Sequence, residues 1–170
     1  MRKGLTLIEL LVVVTLLSVL AGVVSQVFLL GLKVWSTDWN RTEIRQKAAL
    51  GLERMTRELG QAGSITTARA NRIRFSADVD NDGSDETVTF RFYPARDEIR
   101  RTVDGTAMVM TPYIQAFALS YYRANTGTDF TPSSQADRDD IRVIGISLTL
   151  NKGDETITLS SSIYPRNQGL

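Results

Sequence analysis

The sequence predicts an α+β protein: one long N-terminal helix followed by a mostly antiparallel β-sheet. Three observations predict it. No charged residue occurs between Leu10 and Leu32. Apolar residues then recur at helical spacing from Ala48 to Ala62. Beyond Gly63, apolar and polar residues alternate in several short runs, the period of strands.

Residues 1–4 read Met-Arg-Lys-Gly, and the chain turns apolar at Leu5 with one charge, Glu9. The 23 charge-free positions from Leu10 to Leu32 make a helix of roughly 34 Å, enough to cross a bilayer. Arg2 and Lys3 ahead of the span predict a cytoplasmic N-terminus, with everything after Lys33 on the far side. Three readings compete for this segment: a secretory signal cut after Ala21, an uncleaved signal anchor, and a short leader removed between Gly4 and Leu5. Glu9 separates them. A carboxylate at the edge of an apolar span costs about 2–3 kcal/mol and calls for a functional reason, and the first two readings supply none. The apolar stretch also outruns an ordinary signal core.

The string Lys3-Gly4-Leu5-Thr6-Leu7-Ile8-Glu9-Leu10 resembles the cleavage and methylation motif of type IV prepilins. The resemblance implies a leader of residues 1–4, cleavage by a membrane prepilin peptidase after Gly4, and N-methylation of Leu5. Leucine stands where the family usually has phenylalanine. Electrostatics gives the motif a rationale. Cleavage creates an α-amine at Leu5, and Glu9 lies one helical turn away. With axial stagger, the Glu9 carboxylate of one chain can meet the Leu5 amine of the next, and in a low-dielectric core an unpaired partner is penalised. The bland alternative is a carboxylate snorkelling at the interface.

Residues 5–32 are thus the expected transmembrane and filament-core helix, and residues 33–63 its amphipathic continuation. Trp35 and Trp39 sit where aromatic residues anchor at a bilayer surface. Ala48, Leu52, Met55, Leu59 and Ala62 form one apolar stripe that predicts packing against a globular domain. Arg41, Arg45, Lys47, Arg54 and Arg57, interleaved with Glu43, Glu53 and Glu58, read as a solvated face. Gly63 fits a helix stop, giving a helix of roughly 85 Å from Thr6 to Ala62. Gly22, Gly31 and the pair Ser25-Gln26 are its expected weak points.

Residues 64–170 are the expected globular domain. Ile73 and Phe75 alternate with arginines, and Val88, Phe90 and Phe92 with threonines and Arg91. Ile99–Val103 and Ile114–Tyr122 are further strands. Ile144, Ile146, Leu148 and Leu150 continue through the turn Asn151-Lys152-Gly153-Asp154 into Ile157, Leu159 and Ile163. Pro132 to Gln135 with Asp137, Asp139 and Asp140 reads as an exposed loop.

The chain has no cysteine and no histidine. Disulfides and thiolate chemistry are excluded, and so are Ser-His and Cys-His catalysis. Lys33, Lys47 and Lys152 lack a serine motif beside them, so no enzyme is expected. The formal net charge of +1 gives no bulk attraction for nucleic acid, and no nucleic-acid partner is expected. One segment suggests a cofactor. Asp78, Asp80 and Asp82 stand at positions one, three and five of a calcium loop, followed by Gly83, Ser84 and Glu86. Position twelve is Thr89 rather than the usual glutamate. An Asp/Gly-rich hairpin turn without metal explains the same residues.

The run Leu52 to Ala62 and the ending Ile163-Tyr164-Pro165-Arg166-Asn167 resemble W-type minor pilins and J-type minor pseudopilins of type II secretion. That resemblance implies the type IV pilin fold, with the long helix packed on the sheet. It implies a single-pass inner-membrane protein with a periplasmic or extracellular domain, built into a pilus or pseudopilus and priming its tip. The implied partners are other pilin subunits, the prepilin peptidase and methyltransferase, an inner-membrane assembly platform and membrane lipid. A DNA-uptake filament subunit, or an anchored adhesive domain that never polymerises, are the alternatives.

Overall fold

A computed structural model describes residues 6–123 and 128–165. The element order is a long helix α1 (Leu7–Gly60), strands β1 (Ser64–Arg69), β2 (Arg72–Ala77), β3 (Glu86–Tyr93), β4 (Glu98–Val103), β5 (Thr106–Pro112) and β6 (Ile114–Tyr122), a short helix α2 (Gln135–Asp139), then β7 (Val143–Lys152) and β8 (Glu155–Ile163). The first five strands form one antiparallel meander in chain order. The last three form a second antiparallel sheet, β6-β7-β8. The architecture matches the pilin fold that the resemblance implied.

The chain divides between Trp39 and Asn40 into two units. In the first unit every described side chain from Thr6 to Trp35 is exposed. The α-helix is continuous past Gly22, Ser25, Gln26 and Gly31, so the expected weak points do not break it. It is long and apolar enough to cross a membrane. Its leucines, valines and isoleucines are exposed, an apolar surface consistent with membrane anchoring.

In the second unit, one core joins the helix to both sheets. Ile44, Ala48, Met55, Leu59 and Ala62 are fully buried together with Ile65, Phe75, Phe90, Ile114, Ile146 and Leu148. Each large side chain removed from water in this way contributes about 1.5–3 kcal/mol. The apolar stripe is therefore real, but its centre differs from the expected one. Leu52 lies at its edge, only partly buried, while Gly51 occupies the middle. A Cβ at Gly51 would stand 2.2 Å from Thr111 Oγ1. Glycine is required there because the helix passes directly over β5.

Glu58 also departs from expectation. Instead of facing solvent it is only 4% exposed. Arg54 Nε donates to its Oε1 at 2.9 Å, and Arg101 Nε, from β4, donates to its Oε2 at 2.7 Å. Arg101 is itself buried. The ion pair lies inside the domain and ties the helix to β4 of the first sheet.

The helix ends at Gly60, three residues before the expected stop. The Gln61 and Ala62 amides close its last turn on the Glu58 and Leu59 carbonyls, while Gly63 N–H already donates to Ser76 O in the sheet. β1 and β5 were not expected from the sequence. Both are edge strands. A register shift between Ile65 and Thr67 breaks the alternation of β1, and β5 leaves Met108 and Val109 exposed, so neither shows a clean period of two.

The segment read as a loop near Pro132 contains α2. Ser134 and Asp137 cap it reciprocally. Amides and hydroxyls of Ser134 and Ser133 hold the Asp137 carboxyl well below the usual carboxylate range. The sheets are stitched by Leu119 N–H to Ala70 O at 2.8 Å and Tyr121 OH to Arg69 O at 2.9 Å. The β7–β8 turn is fastened to the helix through Lys152 and Glu43. Their pairing raises the lysine and lowers the glutamate from their ordinary values.

Candidate functional site

Two features of the sequence carry chemistry, the helix start and the β2–β3 loop. At the first, Gly4 and Leu5 lie outside the described residues. Glu9 does not; it sits in the first turn of α1. Its Oε2 accepts from Thr6 N–H and from the Thr6 hydroxyl, each at 2.9 Å. Glu9 N–H approaches Thr6 Oγ1 at 3.4 Å. Thr6-Leu7-Ile8-Glu9 is thus a capping box, which satisfies a helix-start amide that has no intrahelical partner. Sequence reasoning missed this role, although Thr followed three residues later by Glu signals it.

The cap engages one carboxylate oxygen. Glu9 Oε1 has no hydrogen bond among the described residues, and a carboxylate can accept on both oxygens. The arrangement fixes the carboxylate at the first turn and leaves one oxygen for a further donor. A positive charge brought to that position would meet a preorganised acceptor.

The second feature is the loop between Ala77 and Glu86. Asn81 and Gly83 take left-handed backbone angles, φ 63° and 89°, and fold the loop on itself. Asp78 accepts from Asp82 N–H at 3.1 Å and Gly83 N–H at 3.0 Å. Asp80 accepts from Asp82 N–H, Asp82 from Ser84 N–H, and Glu86 from Val79 N–H. One carboxylate oxygen from each of Asp78, Asp80, Asp82 and Glu86 lies within 4.8 Å of the others.

Four of the five expected metal-ligating residues therefore converge. The fifth, Ser84, contributes its amide to Asp82. Thr89 is remote from the loop, paired with Arg74 and Thr102 in the sheet. Asp85 turns away and accepts from the Ser76 hydroxyl at 3.2 Å. Oxygen ligands gathered this closely are of the kind a hard divalent cation takes. The same Asx-type bonds also stabilise a turn without metal.

Comparison with known proteins bears on the first feature. Residues 1–25 match the family model of the prokaryotic N-terminal methylation motif. Among curated proteins none matches the chain. The motif supports a type IV pilin-family substrate of prepilin peptidase that assembles with other pilin subunits, and the apolar helix behind it is consistent with membrane anchoring. The chain thus carries the type IV prepilin signal at the head of a long apolar helix, followed by the α+β architecture of the pilin fold.

Proposed function

We propose that this chain is a minor pilin or pseudopilin, cut after Gly4, methylated on Leu5 and built into a type IV pilus or a type II secretion pseudopilus. The observation that carries the reading is the methylation motif over residues 1–25, placed on a helix whose apolar side chains are exposed from Leu7 to Val34. Such a helix is stable in a bilayer and equally in a bundle of its own kind, which is what insertion followed by filament assembly requires. The N-terminus stays cytoplasmic until processing, and the domain from Asn40 onward lies on the periplasmic or extracellular side. W-type pilins and J-type pseudopilins are the subunits it resembles, and a place at the filament tip follows from that resemblance. The mass of the N-terminal peptide of protein purified from cells tests the reading. A peptide that begins at methylated Leu5 is expected. One that begins at Met1 or Gly22 rejects it.

The β2–β3 loop is proposed as a calcium site held by Asp78, Asp80, Asp82 and Glu86, with Ser84 completing the set through an oxygen. The convergence of four carboxylate oxygens favours it. An ion bound only by the folded state stabilises it by about 2.7 kcal/mol at a hundredfold excess over Kd. Millimolar calcium is expected to raise the melting temperature of the full chain in detergent. Asp80→Asn with Asp82→Asn is expected to remove that shift. No heat on titration with millimolar calcium rejects the site.

A further inference from the structure

The β7–β8 turn grips the start of the domain's helix without using a single apolar side chain. Residues 151–155 are all polar or glycine. Lys152 Nζ donates to Glu43 Oε2, and Lys47 Nζ stands 3.4 Å from Glu43 Oε1. Both ammonium groups also lie over the ring of Tyr113, Lys47 at 5.6 Å and Lys152 at 5.0 Å from its centroid. Arg41 Nε lies 4.0 Å from Glu155 Oε2. At Gly153, with φ 63°, a Cβ would stand 3.6 Å from Asn40 Nδ2.

Three features keep this grip weak. Two cations share one carboxylate and one ring, so they repel each other. The Glu43 and Lys152 side chains are each 25% exposed, and ion pairs open to water hold little and weaken with salt. Tyr113 has a left-handed backbone, φ 64°, a strained conformation for a bulky residue. Asn151 N–H, on β7, holds it there by donating to Tyr113 O at 2.9 Å. The helix beneath adds one large buried side chain in two turns. Ile44 is buried, while Arg41, Thr42, Arg45 and Gln46 are exposed. From Ala48 onward the anchoring changes. Ala48, Gly51, Met55, Glu58 and Leu59 are buried in succession, and Gly51 leaves no room between the helix and Thr111.

We infer that the β7–β8 turn is a releasable latch, whose opening frees helix residues 40–47 while residues 48–60 stay docked. Local openings are drawn from segments with few buried apolar contacts and exposed hydrogen bonds, and in this helix those lie on one side of Ala48. Asn40 is the first residue of the second unit. The latch therefore governs the segment through which the domain joins its apolar helix. A pull on that helix, as extraction from a bilayer would apply, meets the latch before it meets Met55 and Leu59. That use rests on the reading of the chain as a filament subunit. The latch itself is a property of the folded chain.

The test is hydrogen–deuterium exchange of the full chain in non-ionic detergent, read by mass spectrometry. Raising NaCl from about 50 to about 500 mM shortens the screening length from about 14 to about 4 Å. This is expected to speed exchange of the amides of residues 44–47 several-fold and to leave those of residues 55–59 unchanged. Lys152→Ala is expected to speed residues 44–47 about five- to tenfold at the lower salt. Lys152→Arg, which keeps both the ion pair and the ring contact, is expected to retain the protection. Adding Glu43→Gln to Lys152→Ala is expected to have less effect than the two changes made separately, because both open one latch. Exchange of residues 44–47 that ignores both salt and Lys152→Ala overturns the proposal. So does acceleration of residues 44–47 and 55–59 together, which would make helix and core one cooperative unit. The start of the processed chain, which decides the filament reading, plays no part in either outcome.

Discussion

Glu9→Ala is expected to abolish incorporation of the chain into filaments and to impair modification of its N-terminus. The reason is the company the carboxylate would keep. At an effective dielectric of about 20, opposite charges about 4 Å apart attract by roughly 4 kcal/mol. Removing one partner of a buried pair costs about 3–5 kcal/mol. At 1.4 kcal/mol per factor of ten, each subunit contact would weaken by more than a hundredfold. The capping box cannot account for a loss of that size, since a cap contributes about 1 kcal/mol. Glu9→Gln separates the two roles, because a glutamine side chain can still accept from Thr6 N–H but cannot neutralise an amine. Filaments sheared from cells, quantified against the membrane-bound pool, provide the measurement. Normal filament yield with Glu9→Gln would show that the helix cap, and not charge pairing, is what assembly requires.

Glu58→Ala carries the largest expected effect on stability. The substitution leaves Arg101 charged and buried, with no carboxylate in place of the one now 2.7 Å from its Nε. Breaking such a pair from one side costs about 3–5 kcal/mol. For a chain of this size each kcal/mol lowers the melting temperature by about 2–4 °C, so a fall of roughly 6–20 °C is expected by circular dichroism. Replacing both partners, Glu58→Met with Arg101→Met, is expected to recover most of the loss, because the double change leaves no orphaned charge and fills similar volume. A single variant that melts within 2 °C of the parent would mean the pair is solvated and the expectation wrong.

The two predictions mark different distances from the sequence. Glu9 could be singled out because a lone carboxylate in an uncharged run is anomalous under any folding of that run. The strands β2, β3, β4, β6, β7 and β8 were legible for a related reason. Each buries one face, so its residues alternate, and alternation is local. β1 and β5 were not legible because edge strands are released from that constraint. In β1 a shift of register interrupts the phase. In β5 the chain is exposed on both sides for most of its length. The calcium loop fell between these cases. Its spacing showed in the sequence, but the convergence of Asp78, Asp80, Asp82 and Glu86 depends on the left-handed turns at Asn81 and Gly83.

By itself the sequence determined the prepilin motif, the apolar span, the α+β class and most of the strands, since all of these rest on neighbours in the chain. Only the tertiary structure decided that Gly51 must be glycine, that Glu58 is buried, and that Arg69, Arg72, Arg91 and Arg100 share one face. Those facts depend on residues brought from far along the chain by strand register and helix packing. A composition with a net charge of +1 carries no trace of where the charges meet.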